Sequence, residues 1–416
     1  MRIVVLGGGV IGVASAYWLA GEGHEVVVVE RREGVAEETS FANAGMIAPG
    51  HVHAWASPSA PWTLLQSLFR RDTALKLRLR FDPEMWAWGL RFLAQCTTAA
   101  NRANTLVKLR LCLFCLETLK ALRAAEPGLD YDGRAAGALY LYRDPAHYER
   151  GLANMALLQE NGLSLRGIDG KRCAEIEPAL GHLAGRLAGA IYSPDDESGD
   201  SHRFTLALAE RCRARGVAFR FATEARGLAL EGGRIGGVVT ASETIAADAV
   251  VVALASESPR FLRALRVRLP IYPVKGYSLT LPAGPDAPTV PGVDEGYLVA
   301  FSRLGDRLRL TGTADFAGHD TGFRDSDFAT LMTVARELFP EGGDFANPEH
   351  FACLRPMTPD GPPLIGRVRG YDNLWLNTGH GHMGWTMATG SARLLTDLIA
   401  GRTPALPAAG FDPNRY

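Results

Sequence analysis

The chain has 416 residues, 47% of them hydrophobic and 21% charged, a composition that suits a globular enzyme of two or three domains with a sizeable core. A formal net charge of -1 argues against nucleic acid as a partner, and no apolar run approaches the roughly 18 to 20 residues needed to span a bilayer. Six scattered cysteines give no disulfide framework, the histidines give no metal-ligand spacing outside the glycine turn Gly379 to Gly384, and a first strand starting at Arg2 leaves no room for a secretory leader, so the cytoplasm is the expected compartment.

The first thirty residues read as strand, glycine turn, helix and strand. Ile3 to Leu6 is a short apolar run of the kind buried on both faces of a parallel sheet. Gly7-Gly8-Gly9-Val10-Ile11-Gly12 follows, then a helical stretch to Glu22 and a second apolar run from Val26 to Glu30. Gly7 allows the tight turn, Gly9 lets backbone approach a pyrophosphate, and Gly12 lets the helix pack closely on the strand, while the helix N-terminus offers free N–H groups to phosphate. Glu30 is placed to accept a hydrogen bond from a ribose hydroxyl. The expected ligand is an adenine dinucleotide, and this motif does not separate NAD from FAD.

Thr39-Ser40-Phe41-Ala42-Asn43-Ala44-Gly45-Met46 is a loop of small residues and backbone donors, suited to wrapping phosphates or lying under a flat ring. From about Trp55 to Ala125 the character changes. Four of the seven tryptophans fall there, and nine Lys/Arg stand against three Asp/Glu between Gln66 and Arg110. Leu106, Leu109, Leu113 and Leu116 recur at helical spacing, so this reads as a helical insertion. Its basic and aromatic stretch from Trp62 to Arg71 either docks on anionic lipid or covers a tryptophan-rich core. Cys112 and Cys115 lie in an apolar run and read as packing residues.

Strands are expected at Gly137 to Tyr142, Ala218 to Phe221, Arg226 to Leu230 and through Val238-Val239, the last three as a meander, with Val250 to Ala253 returning the chain to the parallel sheet. Pro270 to Leu281 and Tyr297 to Thr313 are longer alternating strands of a mainly antiparallel second domain. Asp195 to Asp200 is a polar loop before a helix from Arg203 to Arg215. The chain closes on a second strand, glycine turn and helix: Leu374 to Leu376, Gly379 to Gly384, and Trp385 to Ala400.

These stretches resemble the FAD-dependent D-amino-acid oxidase superfamily, and within it most closely the bacterial D-amino-acid dehydrogenase group. The resemblance is carried by Gly7 to Glu30, Ser40 to Gly45, Tyr272-Pro273-Val274-Lys275-Gly276, Leu354-Arg355-Pro356-Met357-Thr358-Pro359-Asp360-Gly361, and Gly379-His380-Gly381 running into Gly384-Trp385. It implies an α/β fold: a Rossmann-like FAD-binding domain (1–54, 190–266 and 348–416) interleaved with an α+β substrate domain (55–189 and 267–347) that carries a mainly antiparallel sheet and the helical insertion. It also implies FAD rather than NAD, held by Gly7, Gly9, Gly12, Glu30, Arg31, Ser40, Asn43, Ala44, Gly45, Met46, Ala225, Ala253, Gly379, Gly381, His382, Met383, Gly384 and Trp385, with no metal. Arg355 falls where relatives bind the substrate carboxylate, and Tyr297 near where a tyrosine helps; an arginine fork matches a carboxylate bidentately.

The implied activity is oxidative deamination of a D-amino acid by hydride transfer to flavin from a neutral amine. Electrons would pass to a quinone or another acceptor of the respiratory chain, with peripheral membrane contact through residues 55–110 on the inner face of the plasma membrane. Met46, His51, His53 and His382-Met383 depart from the relatives' pattern, which leaves a cyclic or N-substituted substrate such as D-hydroxyproline open. An NAD-dependent dehydrogenase and a flavin-binding subunit without turnover are the competing readings.

Overall fold

Two sheets carry the architecture of the computed structural model, which describes residues 1–67, 75–78 and 81–416. The first sheet runs in the order Leu364–Arg367, Leu374–Thr378, Ala249–Val252, Arg2–Leu6, Glu25–Val29, Ala218–Arg220. Every neighbouring pair is parallel except the first, and Val4 sits between Val27 and Val250. Valine and isoleucine fill both faces of its central strands, as burial under helices on one side and a small meander on the other requires. The helices Val10–Gly21, Ser201–Ala214 and Ala388–Ile399 pack together on one face. Gly12 makes this closeness feasible: a Cβ there would lie 1.9 Å from the Gly7 carbonyl oxygen.

The second sheet runs Glu349–Met357, Tyr272–Pro282, Arg307–Phe316, Val299–Leu304, Gly292–Asp294, Ala138–Tyr142, Gly189–Ser193, Arg166–Ile168, with Leu75–Leu77 pairing on Arg307–Phe316. It is antiparallel apart from two pairs. The loop after Glu30 is clamped between the sheets, because Ser278 Oγ donates to the Ala42 carbonyl, Ser302 Oγ to that of Ala44, and Thr39 Oγ1 to that of Leu354.

Several boundaries differ from the expected ones. Glu349–Met357, expected in the first domain, belongs to the second sheet, and so does the whole strand Gly189–Ser193, of which residues 190–193 were expected in the first domain, so those boundaries move past Met357 and Ser193. Ala218–Arg220 is the edge strand of the parallel sheet beside Glu25–Val29, and the meander is made of Gly227–Glu231, Arg234–Val239 and Thr244–Ala246. Tyr297 to Thr313 is not one strand but a hairpin that turns at Gly305.

The insertion divides in two. Its long helix, Thr98–Ala125, buries Leu109, Cys112, Cys115 and Leu119 in the same core as Ile3, Val5 and the last helix, so it belongs to the first domain. The shorter helix Pro83–Gln95 sits under the second sheet, where Trp88 is buried and its Nε1 donates to the Met357 carbonyl at 2.8 Å. Of the basic and aromatic stretch, residues 68–71 lie outside the described residues.

Candidate active site

A cavity of about 1400 Å³ runs from the first glycine turn, past the loop 39–46, to Gly276, Thr313 and Arg355 of the second sheet. Binding pockets for small ligands usually span roughly 300 to 1,000 Å³, so this one has room for a large cofactor and a substrate together.

At the near end the turn is a cradle with no space for side chains. Gly7 has φ +105, and a Cβ on it would stand 2.6 Å from the Ala253 carbonyl oxygen. The helix that follows begins at Val10 with no acidic residue in its first turn and no side-chain cap from Gly9, which leaves its positive end for an anion. Glu30 is aimed by two backbone donors: Gly8 N to Oε2 at 2.6 Å and Arg32 N to Oε1 at 2.8 Å.

Arg355 closes the far end. Its guanidinium lies flat over Gly276, where a Cβ would come within 2.3 Å of Cζ, and it donates to the carbonyls of Thr313 at 2.6 Å and Gly312 at 3.3 Å. Burial lowers its pKa, and no carboxylate among the described residues acts to raise it. A half-buried cation in a cavity wall, with no carboxylate beside it, is suited to an anionic ligand. The Nε2 atoms of His380 and His382 are also buried without a hydrogen-bond partner, and burial pushes His380 down to about 3.

The remaining wall is aromatic and titratable. Trp55 stacks on His382 with ring centroids 4.9 Å apart, and His51 stacks on Tyr140 at 5.6 Å. His51 Nε2 is 3.2 Å from Glu295 Oε1. Behind them the Tyr140 hydroxyl donates to Asp196, which also accepts from Gly50 N at 3.1 Å and which burial pushes up to about 6. Burial brings His53 down to about 4 and Lys108 down to about 8, the lysine donating to the His53 carbonyl at 3.3 Å.

A family model described as FAD dependent oxidoreductase, the DAO family, matches residues 2–398. The chain belongs to this family. FAD is its cofactor, and the protein is a flavin-dependent oxidoreductase. Among curated relatives, D-amino acid dehydrogenase 2 of Mesorhizobium japonicum is 46% identical over 414 residues, covering 99% of each chain. The D-amino acid dehydrogenase of Paramagnetospirillum magneticum is 46% identical over 419 residues, covering 100% of this chain and 99% of its own. The fold matches the glycine oxidase of Geobacillus kaustophilus with a TM-score of 0.76 at 22% identity, over 100% of this chain and 99% of that one.

The residues present fit FAD. The glycine cradle and the helix N-terminus suit its pyrophosphate, and Glu30 suits its ribose. The cavity brings together Gly7, Gly9, Glu30 and Arg31; Ser40, Asn43, Ala44 and Met46; Ala225 and Ala253; and Gly379, Gly381, His382, Met383, Gly384 and Trp385. Within this set Ser40 Oγ accepts from Val10 N at 3.1 Å, and Trp385 Nε1 is committed to the Gly199 carbonyl at 3.0 Å.

Three expected site residues are not in its lining. Gly12 acts one step back, by admitting the Gly7 carbonyl. Gly45, at φ +67, turns the loop against Ser302 and Leu304, where a Cβ would clash at 2.8 Å. Tyr297 is 37% exposed with Arg143 over its ring at 4.9 Å, because Asp294 caps the turn and directs the chain outward. Glu295, two residues earlier, and Leu298, one later, line the cavity instead. Sequence reasoning passed over Glu295, Tyr140 and Lys108, and took Asp196 for part of a polar loop. The available signal was an acidic residue next to a strand end, which is too common to single out.

Proposed function

We propose that the protein oxidises D-amino acids to 2-oxo acids and ammonia and passes the electrons to a membrane quinone. The observation that carries the substrate class is Arg355: a half-buried guanidinium without a carboxylate partner, at the substrate end of the FAD cavity. The two carbonyls it holds fix the plane of its fork and leave the other N–H groups for two parallel bonds to a substrate carboxylate. With the carboxylate fixed, the α-carbon has one position, and orientation of this kind contributes much of the barrier reduction. FAD, when bound, supplies the two-electron acceptor for the α-hydrogen. The turn Gly381–Met383, continuing into the helix Ala388–Ile399, presents backbone N–H groups where negative charge would build up. Trp55, stacked on His382, keeps water from that wall.

The relatives named above are D-amino acid dehydrogenases, which favours the D configuration and a non-oxygen acceptor here. The test is incubation of the FAD-loaded protein with D- and L-amino acids and a dye acceptor. Formation of 2-oxo acid from the D series supports the reading; none, or formation from the L series alone, refutes it.

The quinone step draws support from an apolar face on the helix Pro83–Gln95, where Trp86, Leu90 and Leu93 are exposed along one side, next to a 97% exposed Phe81. Trp62 and Leu65 are exposed on the helix Ala60–Ser67, and Lys76 and Arg91 add positive charge nearby in the sequence. Basic residues contribute about 1 kcal/mol each beside anionic lipid. Sedimentation with vesicles should therefore be stronger for anionic than neutral lipid and weaken with salt, and equal binding in all conditions would refute docking of this kind.

A further inference from the structure

Oxidation by loss of a hydride from the α-carbon requires a neutral amine, whereas a free amino acid reaches the site as an ammonium. Something must take that proton, and neither Arg355 nor the backbone can. Resting on the D-amino-acid reading above, we propose that His51, oriented by Glu295, is the base that removes the proton from the substrate ammonium.

The geometry is that of a carboxylate–imidazole dyad. His51 ends the short turn Pro49–His51 and is set there by Gly50, whose N–H bonds Asp196 and whose Cβ, if it had one, would meet Asp196 Oδ2 at 2.7 Å and the Tyr140 hydroxyl at 2.8 Å. The ring lies on Tyr140, and Nε2 meets Glu295 Oε1 at 3.2 Å. With Nε2 turned to the Glu295 carboxylate the lone pair stays on Nδ1, for which no hydrogen bond or ion pair is present among the described residues. Both His51 and Glu295 line the cavity, and the His51 side chain keeps 35% of its surface. The dyad shares its cavity with the carboxylate anchor Arg355 and with His382, whose ring centroid is 6.3 Å from that of His51.

The other titratable groups around His51 fit the role less well. Lys108 reaches the His53 carbonyl and is a donor while charged. His382 is shielded by Trp55 and held neutral by burial, and burial makes His53 a weak base, down to about 4. Asp196 is engaged by Tyr140 and Gly50 and is not in the cavity lining. For His51 itself, burial acts to lower the pKa, but the charge and hydrogen bond of Glu295, with a smaller contribution from Asp196, carry it above the ordinary histidine value against the opposing charge of Lys108. The step balances as a proton transfer: the substrate N–H bond breaks and Nδ1–H forms. The freed nitrogen pair is then available to form the C=N bond as the α-hydrogen leaves with its electron pair, for which FAD, when bound, would supply the two-electron acceptor.

The experiment is the pH profile of kcat/KM, read from anaerobic FAD reduction by a D-amino acid, for the parent, His51→Asn and Glu295→Gln. In the parent the rate constant should rise with pH as His51 loses its proton. His51→Asn should be slower at pH 7 by roughly 10²- to 10⁴-fold, the usual range for a general base, and the gap should close as pH approaches the pKa of the substrate ammonium itself. Glu295→Gln should move the acid limb to lower pH, since the charge that raises His51 is gone. Binding of a 2-hydroxy acid, which carries the carboxylate without the amine, should be the same in His51→Asn and the parent when followed by the flavin spectrum.

A parental limb that persists in His51→Asn, or a deficit independent of pH, overturns the proposal. If His51→Asn fails to hold FAD, an acid limb that does not move in Glu295→Gln overturns it equally. A parent whose FAD no D-amino acid reduces overturns the substrate reading as well, so the two failures are distinguishable.

Discussion

Gly276→Ala places a methyl group where the Arg355 guanidinium now lies, 2.3 Å from Cζ and Nη2 and 2.4 Å from Nη1. The strand itself tolerates the change, because Gly276 does not need a positive φ and its partner Cys353 stays in register. What has to move is the end of a flexible side chain, so folding stability should change by no more than about 1 kcal/mol, partly offset by the gain from replacing a strand glycine. The guanidinium gives up its 2.6 Å bond to Thr313 and its plane, and with them the fit to a carboxylate. Breaking a buried charge pair of this kind costs roughly 2 to 5 kcal/mol, which at about 1.4 kcal/mol per decade is a fall in kcat/KM of roughly 30-fold to a few thousand-fold. The assay is steady-state turnover of a D-amino acid with saturating dye, alongside FAD content and thermal melting. Because both substitutions remove one interaction, Gly276→Ala with Arg355→Ala should be no slower than Arg355→Ala alone. Multiplying deficits, or a Gly276→Ala enzyme with near-parental kcat/KM, would refute the placement of the carboxylate at Arg355.

Glu30→Ala removes the acceptor for Gly8 N and Arg32 N as well as the expected ribose contact. Losing such charge-assisted bonds costs about 1 to 3 kcal/mol, so titration of the apoprotein should show FAD bound roughly 5- to 150-fold more weakly, with substrate saturation unaffected once FAD is in excess. Tyr297→Phe should leave kcat/KM unchanged within experimental scatter, since the ring sits outside the cavity lining under Arg143; a loss of tenfold or more would return that hydroxyl to the site.

The sequence discloses the parts of this molecule whose physics is local. The first glycine turn is legible because each glycine answers a short-range demand, and Glu30 because its distance from the turn follows from one strand and one helix. Arg355 is legible only through the resemblance of its segment. Its isolation from any carboxylate, which makes it a substrate anchor, depends on Gly276, Gly312 and Thr313 arriving from two other strands. The long helix Thr98–Ala125 was misassigned because its apolar stripe fits any core, and only packing against the last helix shows which one it serves. Strand Glu349–Met357 was misassigned because its pairing with Tyr272–Pro282 is a long-range fact. The His51–Glu295 dyad is the extreme case: its members are 244 positions apart and meet only where the two domains enclose the cavity.

Oxidation of D-amino acids by FAD held beside the Arg355 carboxylate anchor is the proposed activity. It is tested most directly by mixing the FAD-loaded protein anaerobically with one D-amino acid, its L enantiomer, and the matching amine that lacks a carboxylate, and following the flavin absorbance. Rapid and complete bleaching is expected with the D-amino acid, little with the L form, and slow bleaching with the amine that is no slower in Arg355→Ala. Equal rates for the D-amino acid and the carboxylate-free amine, or no bleaching by any D-amino acid, would contradict it.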